Sequence, residues 1–261
     1  MDLKELSIVE SGGKGGLEVR HPWELARLEI LKTWLADFSL EEGFHLDVGC
    51  GDAFLLRALA ELHPESRWVG VDSAFSALEN VDSGDLPNLE LVSSLEGLSR
   101  SSRFNSVLLM DVLEHIEEPL ELLLDLHRRE LLAEDALIII TVPAFPAIFS
   151  SHDHFLGHFR RYTLASLTDL FQKAGLEPLE QGYFFSSLLA ARAGECLGER
   201  FRNASTPFKG VARWTGGPML TAAITHFLVH DFALGRWFRR RLGLHLPGLS
   251  CFAICRVQPH E

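Results

Sequence analysis

The sequence of 261 residues is long enough for one large domain, or for one domain with an insertion. Its hydrophobic content of 47% and charged content of 23% are typical of a soluble globular protein, and its net charge of −12 argues against broad nucleic-acid binding. The four cysteines show no metal-ligand spacing, so no metal site is expected. The first residues carry charges and lack an apolar core, so we expect a cytoplasmic protein without a signal peptide.

Residues 1–42 are predicted to form an N-terminal tail followed by a capping helix. Residues 1 to about 20 include the Gly-rich segment SGGKGG and are expected to be loosely ordered. Pro22 suits the first turn of the helix that follows. Apolar side chains then recur at helical spacing: Trp23, Leu25, Leu28, Leu31 and Leu35.

Residues 45–56, HLDVGCGDAFLL, read as a short apolar strand, a sharp turn and a helix. A parallel α/β sheet uses such a unit to present backbone N–H groups and a helix N-terminus to a nucleotide-like ligand. A dinucleotide fingerprint would need glycine where Phe54 stands, and a P-loop would need Gly-Lys-Ser/Thr. The remaining pattern, D-x-G-x-G-x-A, resembles motif I of class I S-adenosylmethionine (SAM) methyltransferases, which implies that SAM is the cofactor. The binding residues in this turn are then expected to be Asp47, Gly49, Cys50 and Gly51.

The ends of the next two predicted strands supply candidates for binding the adenosine part of SAM. The strand RWVGVD ends at Asp72, whose carboxylate is expected to bind the ribose hydroxyls. Ser73, the next residue, is also expected to contact the cofactor. NAD enzymes place an acid in the same way, so the glycine turn distinguishes the two cofactors and Asp72 does not. After the strand at 89–92 the family often has an acidic residue that pairs with adenine, and this sequence has Ser94 and Leu95 instead.

The fourth predicted strand, RFNSVLLMD, is followed by VLEHIEEP. This segment resembles the L-E-H-I motif that opens the next helix in the family. The resemblance places Met110 and Asp111 against the methionine part of SAM, and His115 at the edge of the site. For Glu114 and His115, helix capping and surface charge remain an alternative.

The order of elements predicts an α/β fold. Strands alternate with helices from residue 43 to 143, and the fifth strand, ALIIITVP, is apolar on both faces, so a doubly wound, mostly parallel sheet is predicted. The resemblance implies seven strands in a Rossmann-like methyltransferase fold that ends in an antiparallel pair. We therefore predict three parts beyond residue 42: a SAM-binding core over 43–183, a helical insertion over 184–247 and the closing strand of the core within 248–261.

The segment FSSHDHFLGHFRRYTLASL at 149–167 follows the fifth strand, where loops of an open α/β sheet form the crevice over the ligand. It also resembles the pattern S-x-H-D…G-H-x-R-R-Y of a group of bacterial methyltransferases. An imidazole could act as the base for a hydroxyl acceptor, Asp153 could orient it, and an arginine could bind an acidic group. The catalytic candidates are His152, Asp153, His158, Arg161 and Tyr162. Alternatively, the arginines and the tyrosine only tie the loop to the sheet.

The insertion at 184–247 is both basic and apolar. It contains nine Lys or Arg residues against three acidic residues, interleaved with aromatic and aliphatic side chains. Three interpretations stay open: an interfacial, lipid-facing helix, a lid over a greasy substrate, or a subdomain used for packing or dimer formation.

The sequence as a whole predicts a SAM-dependent methyltransferase that acts on a small-molecule or lipid-like acceptor, with O- or C-methylation favoured. No nucleic-acid partner is expected, and peripheral contact with the inner face of the membrane through 184–247 is one option. The oligomeric state is left open. The alternatives are a SAM-binding regulator or partner subunit without activity, and an NAD-dependent oxidoreductase.

Overall fold

A computed structural model of the chain describes residues 20–77, 86–98, 103–202 and 214–258, without the side chains of 199–202. The tail predicted for the first residues lies outside these ranges. The described residues form a seven-stranded sheet in the order β3-β2-β1-β4-β5-β7-β6. The strands are β1 Phe44–Val48, β2 Arg67–Val71, β3 Leu89–Val92, β4 Phe104–Met110, β5 Leu132–Pro143, β6 Leu176–Phe184 and β7 Ser250–Val257. All neighbours are parallel except the pairs of β7 with β5 and β6, which confirms the predicted mostly parallel sheet.

Helices cover both faces of the sheet in the described part of the chain. They are α1 Pro22–Asp37, α2 Phe54–Leu62, α3 Pro119–Arg128, α4 Ser151–Leu156, α5 Leu164–Lys173, α6 Ser186–Arg202 and α7 Pro218–Leu242. Side chains of α3 and α5 pack on one face, and side chains of α1, α2 and α7 pack on the other. Successive side chains of β4 point to opposite faces of the sheet. Val107 packs in the layer with α3 and α5, and Leu108 packs in the layer with α1, α2 and α7.

The buried face of α1 coincides with the predicted one only in its second half, where Leu31 and Leu35 are fully buried. Ala26, Ile30 and Trp34 are fully or almost fully buried, whereas Trp23 is only half-buried. The reason is that α1 has two partners. The Trp34 ring stacks on Phe252 of β7 at a centroid distance of 4.9 Å, and the same ring meets Phe232 of α7 edge-on at 5.7 Å.

A cluster of ion pairs fixes α7 to the edge of the sheet. Glu180 of β6 is 7% exposed and accepts hydrogen bonds from Arg236 Nε at 3.0 Å, from Arg240 Nη2 at 2.7 Å and from Arg239. Arg236 also pairs with Asp37 at the end of α1. Three arginines of the predicted basic insertion therefore pair with two acids outside it, so less positive charge is free than the sequence count indicates.

The length and hydropathy of the helices bear on a membrane role. Among the described residues, no helix combines the length and the apolar character that crossing a bilayer requires.

Candidate active site

A cavity of about 400 Å³ opens at the carboxyl ends of β1, β4 and β5. The chain runs outward from β1 to β3 in one direction and from β4 to β5 in the other, so the cavity lies at the switch point where α/β folds bind ligands. Its wall combines the ends of these strands, the start of α1, the 149–162 loop and α6. The lining residues with charged or polar side chains include His21, Glu24, Arg27, Asp47, Asp111, Glu114, His115, His152, His158 and Arg161.

The turn after β1 brings backbone close to the cavity. Gly49 has a φ of +76°, and a Cβ atom there would lie 2.7 Å from Val112 Cγ2, so no larger residue fits without a shift. The amides of Gly49 and Cys50 donate to Val71 O at 2.7 and 3.2 Å, and Gly51 N donates to Asp72 Oδ2 at 2.9 Å. The prediction that this turn offers its N–H groups to the ligand is therefore wrong for these three amides, because each has a protein acceptor. The turn contributes instead by letting the backbone come close to the cavity.

Asp47 lies at the end of β1 and is 2% exposed. Its Oδ1 has no hydrogen-bond partner among the described residues, and burial raises the pKa of the carboxyl group to about 8. A buried carboxylate oxygen without a partner fits a cationic ligand group at the cavity wall, such as the ammonium of the methionine part of SAM.

Arg27 of α1 reaches across the cavity to the end of β4. Its Nη1 lies 2.6 Å from Asp111 Oδ2, and its Nη2 donates to Thr141 Oγ1 at 2.9 Å. The Thr141 hydroxyl in turn donates to Asp111 Oδ1 at 2.9 Å. Asp111 is held in the left-handed region with a φ of +58°. This network fixes a cation and a carboxylate beside Asp47, which suits a zwitterionic ligand.

The predicted cofactor residues divide into two groups. Asp47, Gly49, Cys50, Met110, Asp111 and His115 line the cavity. The other five, Gly51, Asp72, Ser73, Ser94 and Leu95, are not among the described residues that line it. The Asp72 carboxylate instead accepts from the amides of Gly51 and Ala74, both at 2.9 Å. Segments 78–85 and 99–102, close in sequence to the second group, lie outside the described residues.

The predicted catalytic loop is organised around Asp153. This residue is fully buried at the start of α4, and its Oδ1 accepts from Arg161 Nε at 2.7 Å and pairs with His158 Nδ1 at 3.0 Å. Burial would raise the pKa of Asp153, but the hydrogen bonds from His158 and Arg161 outweigh it and hold the pKa well below its usual range. Asp153 therefore stays ionised and fixes the ring of His158, which lines the cavity.

His152 also lines the cavity, and it lies next to Asp153 in the loop. Burial, reinforced by the charge of Arg192, lowers the pKa of His152 to about 4. Its imidazole is therefore neutral near pH 7.

The loop is attached to the turn after β4 by several bonds. Phe159 N donates to Glu114 O at 2.8 Å, and the Tyr162 hydroxyl donates to Leu113 O at 3.0 Å. Tyr162 is 4% exposed and does not line the cavity, so its geometry favours the structural alternative. The attachment packs the rings of His115 and His158 edge to face, with centroids 4.7 Å apart.

Two residues of the site were not among the sequence candidates. Arg27 lies on the predicted capping helix, which the resemblance brings near the site through His21, Trp23 or Arg27, but it is not one of the predicted binding residues. For Glu114 the sequence leaves helix capping and surface charge open. The residue is 1% exposed, and burial together with the charge of Asp111 raises the pKa of Glu114 well above its usual value. The apolar residues on either side of Glu114 in the L-E-H-I segment are the feature of the sequence that indicates its burial.

Comparison with known proteins connects this geometry to a family. The profile of the family described as "Methyltransferase domain" matches residues 23–181. A tRNA (guanine-N(7)-)-methyltransferase of Lactococcus lactis subsp. cremoris (strain SK11) is 30% identical over 76 residues, which are 28% of this chain and 35% of the relative. The match thus spans about a third of the length of this curated relative.

Two solved structures share the fold. A SAM-dependent methyltransferase from Archaeoglobus fulgidus aligns with a TM-score of 0.50 at 16% identity, over 88% of this chain and 94% of that one. Coclaurine N-methyltransferase bound to N-methylheliamine and S-adenosylhomocysteine (SAH) aligns with a TM-score of 0.54 at 13% identity, over 88% of this chain and 72% of that one. Because the family profile covers more than half of the sequence, the chain belongs to the family described as "Methyltransferase domain", and its sheet has the Rossmann-like fold of the two solved methyltransferases.

Proposed function

We propose that the protein transfers the methyl group of SAM to an oxygen or carbon atom of a small-molecule or lipid-like acceptor, with a hydroxyl group favoured. One observation carries the proposal: the Asp153–His158 pair lies on the wall of the same cavity as Asp47 and the Arg27–Asp111 pair. Asp47 and the Arg27–Asp111 pair suit the methionine part of SAM, and the Asp153–His158 pair supplies a base for an acceptor.

The residues of the site have separable roles in this reaction. When bound, SAM supplies an electrophilic methyl carbon on sulfur. Asp47 would bind its ammonium group and Arg27 its carboxylate, which fixes the direction of the methyl group. His158 Nε2 would accept the proton of the acceptor hydroxyl, while Asp153 holds Nδ1–H and stabilises the imidazolium, an effect of about 10²–10⁴ in rate.

The apolar part of the cavity wall favours a greasy acceptor. Trp23, Leu156, Phe185 and Leu188 line it together with the histidines, and these side chains exclude water from the base and the acceptor. They come from α1, from α4 and from the segment where β6 leads into α6, so the acceptor would be enclosed on several sides.

Peripheral contact of a cytoplasmic protein with the inner face of the membrane is part of the proposal. Along α7, large apolar side chains are more than half exposed: Met219, Leu220, Phe227, Leu234 and Trp237. Because Glu180 and Asp37 neutralise several arginines of the helix, we expect apolar insertion to contribute more than charge. Vesicle co-sedimentation tests this contact. Equal sedimentation of the wild type and of Phe227→Ser/Trp237→Ser would favour a soluble acceptor and a packing role for this surface.

The similarity to a tRNA (guanine-N(7)-)-methyltransferase raises a nucleic-acid acceptor as an alternative to a small molecule. The net charge of −12 and the short aligned region argue against it here. A SAM-binding regulator without activity is a second rival. The NAD alternative is disfavoured by Phe54, whose ring lines the cavity where a dinucleotide turn needs glycine.

Titration calorimetry with SAM and SAH, followed by mass spectrometry of cell extract incubated with enzyme and SAM, tests the proposal. We expect binding of both ligands and acceptors heavier by one methylene unit in the organic phase. Asp153→Asn should lower the transfer rate by about 100-fold or more while the Kd for SAM is unchanged. His154→Asn, an exposed change in the same loop, is the matched control. Transfer to RNA instead of small molecules, or binding without any transfer, would contradict the proposal.

A further inference from the structure

We propose that Glu114, His115 and His158 form a binding site for a divalent transition metal, most favourably Zn²⁺, on the acceptor side of the cavity. Each residue offers one ligand atom, and these atoms all lie within 4.8 Å of one another. Two imidazoles and one carboxylate form the ligand set of many catalytic zinc sites, which keep a further position open. The cysteine spacing from which no metal was expected does not bear on these residues.

The distances are compatible with one ion after a small adjustment. Ligands at about 2.0–2.2 Å from Zn²⁺ in a tetrahedral site lie roughly 3.3–3.6 Å from each other. The side chains therefore have to approach by up to about 1.5 Å, which rotation about their side-chain torsions can supply. The backbone already holds the two segments together, because Phe159 N, next to His158, donates to Glu114 O at 2.8 Å.

The burial of Glu114 is an independent observation that points to a cation. The residue is 1% exposed, lines the cavity, and its Oε2 has no hydrogen-bond partner among the described residues. The nearby cation Arg27 is already bonded to Asp111 and Thr141. A buried carboxylate is costly without a partner, and a metal ion bound at the cavity side would satisfy the free oxygen.

Asp153 gives His158 the outer contact that metal-binding histidines usually have. His158 Nδ1 lies 3.0 Å from Asp153 Oδ1, so Nε2 is the atom left to bind the ion. The carboxylate is itself held by Arg161 Nε at 2.7 Å and Ser150 N at 2.9 Å. An anchored carboxylate–histidine pair of this kind fixes the tautomer and orients the ring.

The role of the ion rests on the proposed function, whereas its binding does not. An acceptor hydroxyl at the open position would become more acidic, as water does on zinc. The O–H bond then breaks and its proton passes to water, the oxygen forms a bond to the methyl carbon, and the C–S bond breaks to leave the neutral thioether. With the ion bound, His158 acts as a ligand, and the ion replaces it in activating the hydroxyl.

The test uses full-length protein without a histidine tag, stripped with a chelator and dialysed. Calorimetric titration with ZnCl₂ and measurement of metal content should give one Zn²⁺ per chain. Glu114→Gln, His115→Asn and His158→Asn should each abolish this stoichiometric binding, and Asp153→Asn should weaken it by about 10–100-fold. The matched controls are Glu117→Gln and His154→Asn, exposed neighbours in the same two segments, which should bind as the wild type does.

The outcomes of these measurements separate the alternatives. Absence of Zn²⁺ binding by the wild type, or equal loss in the controls and the ligand variants, overturns the metal site. Because Glu114→Gln keeps the size and shape of a buried side chain whose Oε2 has no hydrogen-bond partner among the described residues, its melting temperature should not fall, which separates lost binding from lost folding. SAM titration on the same samples distinguishes the two proposals: zinc binding without SAM binding refutes the proposed function alone, and the reverse refutes the metal site alone.

Discussion

Asp47 shows how a ligand-binding residue can oppose folding. The folded state buries its carboxyl group to 2% exposure and raises its pKa to about 8, while the pKa in an unfolded chain is near its ordinary value of 3.8. Between these two values the folded state binds the proton more tightly than the unfolded state does. Stability therefore falls as pH rises from 4 to 8, by at most about 1.4 kcal/mol for each pH unit.

Asp47→Asn should remove this loss. We expect the melting temperature of the variant to exceed that of the wild type by a margin that grows between pH 4 and pH 8, while its affinity for SAM falls at least tenfold. Thermal melts at several pH values and calorimetric titration measure the two effects. Asp52→Asn, at a half-buried position in the same turn, is the control. A margin independent of pH would contradict the assignment.

Gly49 is constrained both by its backbone and by a neighbour. Its φ of +76° disfavours any side chain, and a Cβ would lie 2.7 Å from Val112 Cγ2. Gly49→Ala should therefore destabilise the protein by about 2 kcal/mol or more. In a Val112→Ala background the contact is gone and only the backbone strain remains, so the same change should cost less. Denaturant unfolding of the four proteins in a double-mutant cycle measures the difference, and additive effects would refute the contact.

At the scale of elements, α7 acts as a second layer over α1 and the sheet edge. Its buried side contributes Leu228 and Phe232 to the core beside Trp34, and its arginines converge on Glu180. The carboxylate is 7% exposed, yet the guanidinium groups outweigh the effect of burial and lower the pKa of Glu180. The attachment of α7 thus combines aromatic packing with a partly buried ion-pair network.

Glu180→Gln should weaken this attachment. Three neighbouring guanidinium groups would lose a shared carboxylate, and among the described residues Asp37 alone would remain as a counter-ion. We therefore expect a loss of about 3 kcal/mol in the free energy of unfolding. Glu177→Gln, an exposed change on the same strand, should stay within about 0.5 kcal/mol of the wild type. Urea denaturation followed by tryptophan fluorescence measures both. Equal stability of the two variants would show that the network contributes nothing.

At the scale of the whole molecule, the fold was more accessible from the sequence than the site. The strand ends at Asp47 and Asp111 could be placed together because parallel strands in an α/β sheet open at one edge, and the glycine turn identified the edge. The Arg27–Thr141 bond joins residues 114 positions apart, and no local pattern encodes it. The approach of His158 to Glu114 likewise depends on how the loop folds back on the turn after β4, which composition and periodicity do not specify.

The whole molecule should also lose stability in mild acid, through a group far from the ligand. His45 is fully buried on β1, its Nδ1 pairs with Ser106 Oγ at 2.8 Å, and its ring packs on Trp68 at 4.3 Å. Burial, assisted by the charge of His63, lowers the pKa of His45 from 6.5 to about 4. Between pH 6.5 and 4, His45 is therefore protonated in the unfolded chain but not in the folded state. The stability of the fold falls over this range as pH drops, by at most about 1.4 kcal/mol per pH unit.

His45→Gln keeps a hydrogen-bonding group toward Ser106 and removes the titration. We expect the variant to be less stable than the wild type at pH 7.5, because it loses the ring packing against Trp68, and the difference in stability should shrink as pH falls to 4. His226→Gln, at an exposed position on α7, should follow the wild type at every pH. Urea unfolding at pH 7.5, 6, 5 and 4 measures the slopes. Parallel slopes for His45→Gln and the wild type would place the acid sensitivity in another group, because His45 is then already protonated in the fold or never titrates in this range.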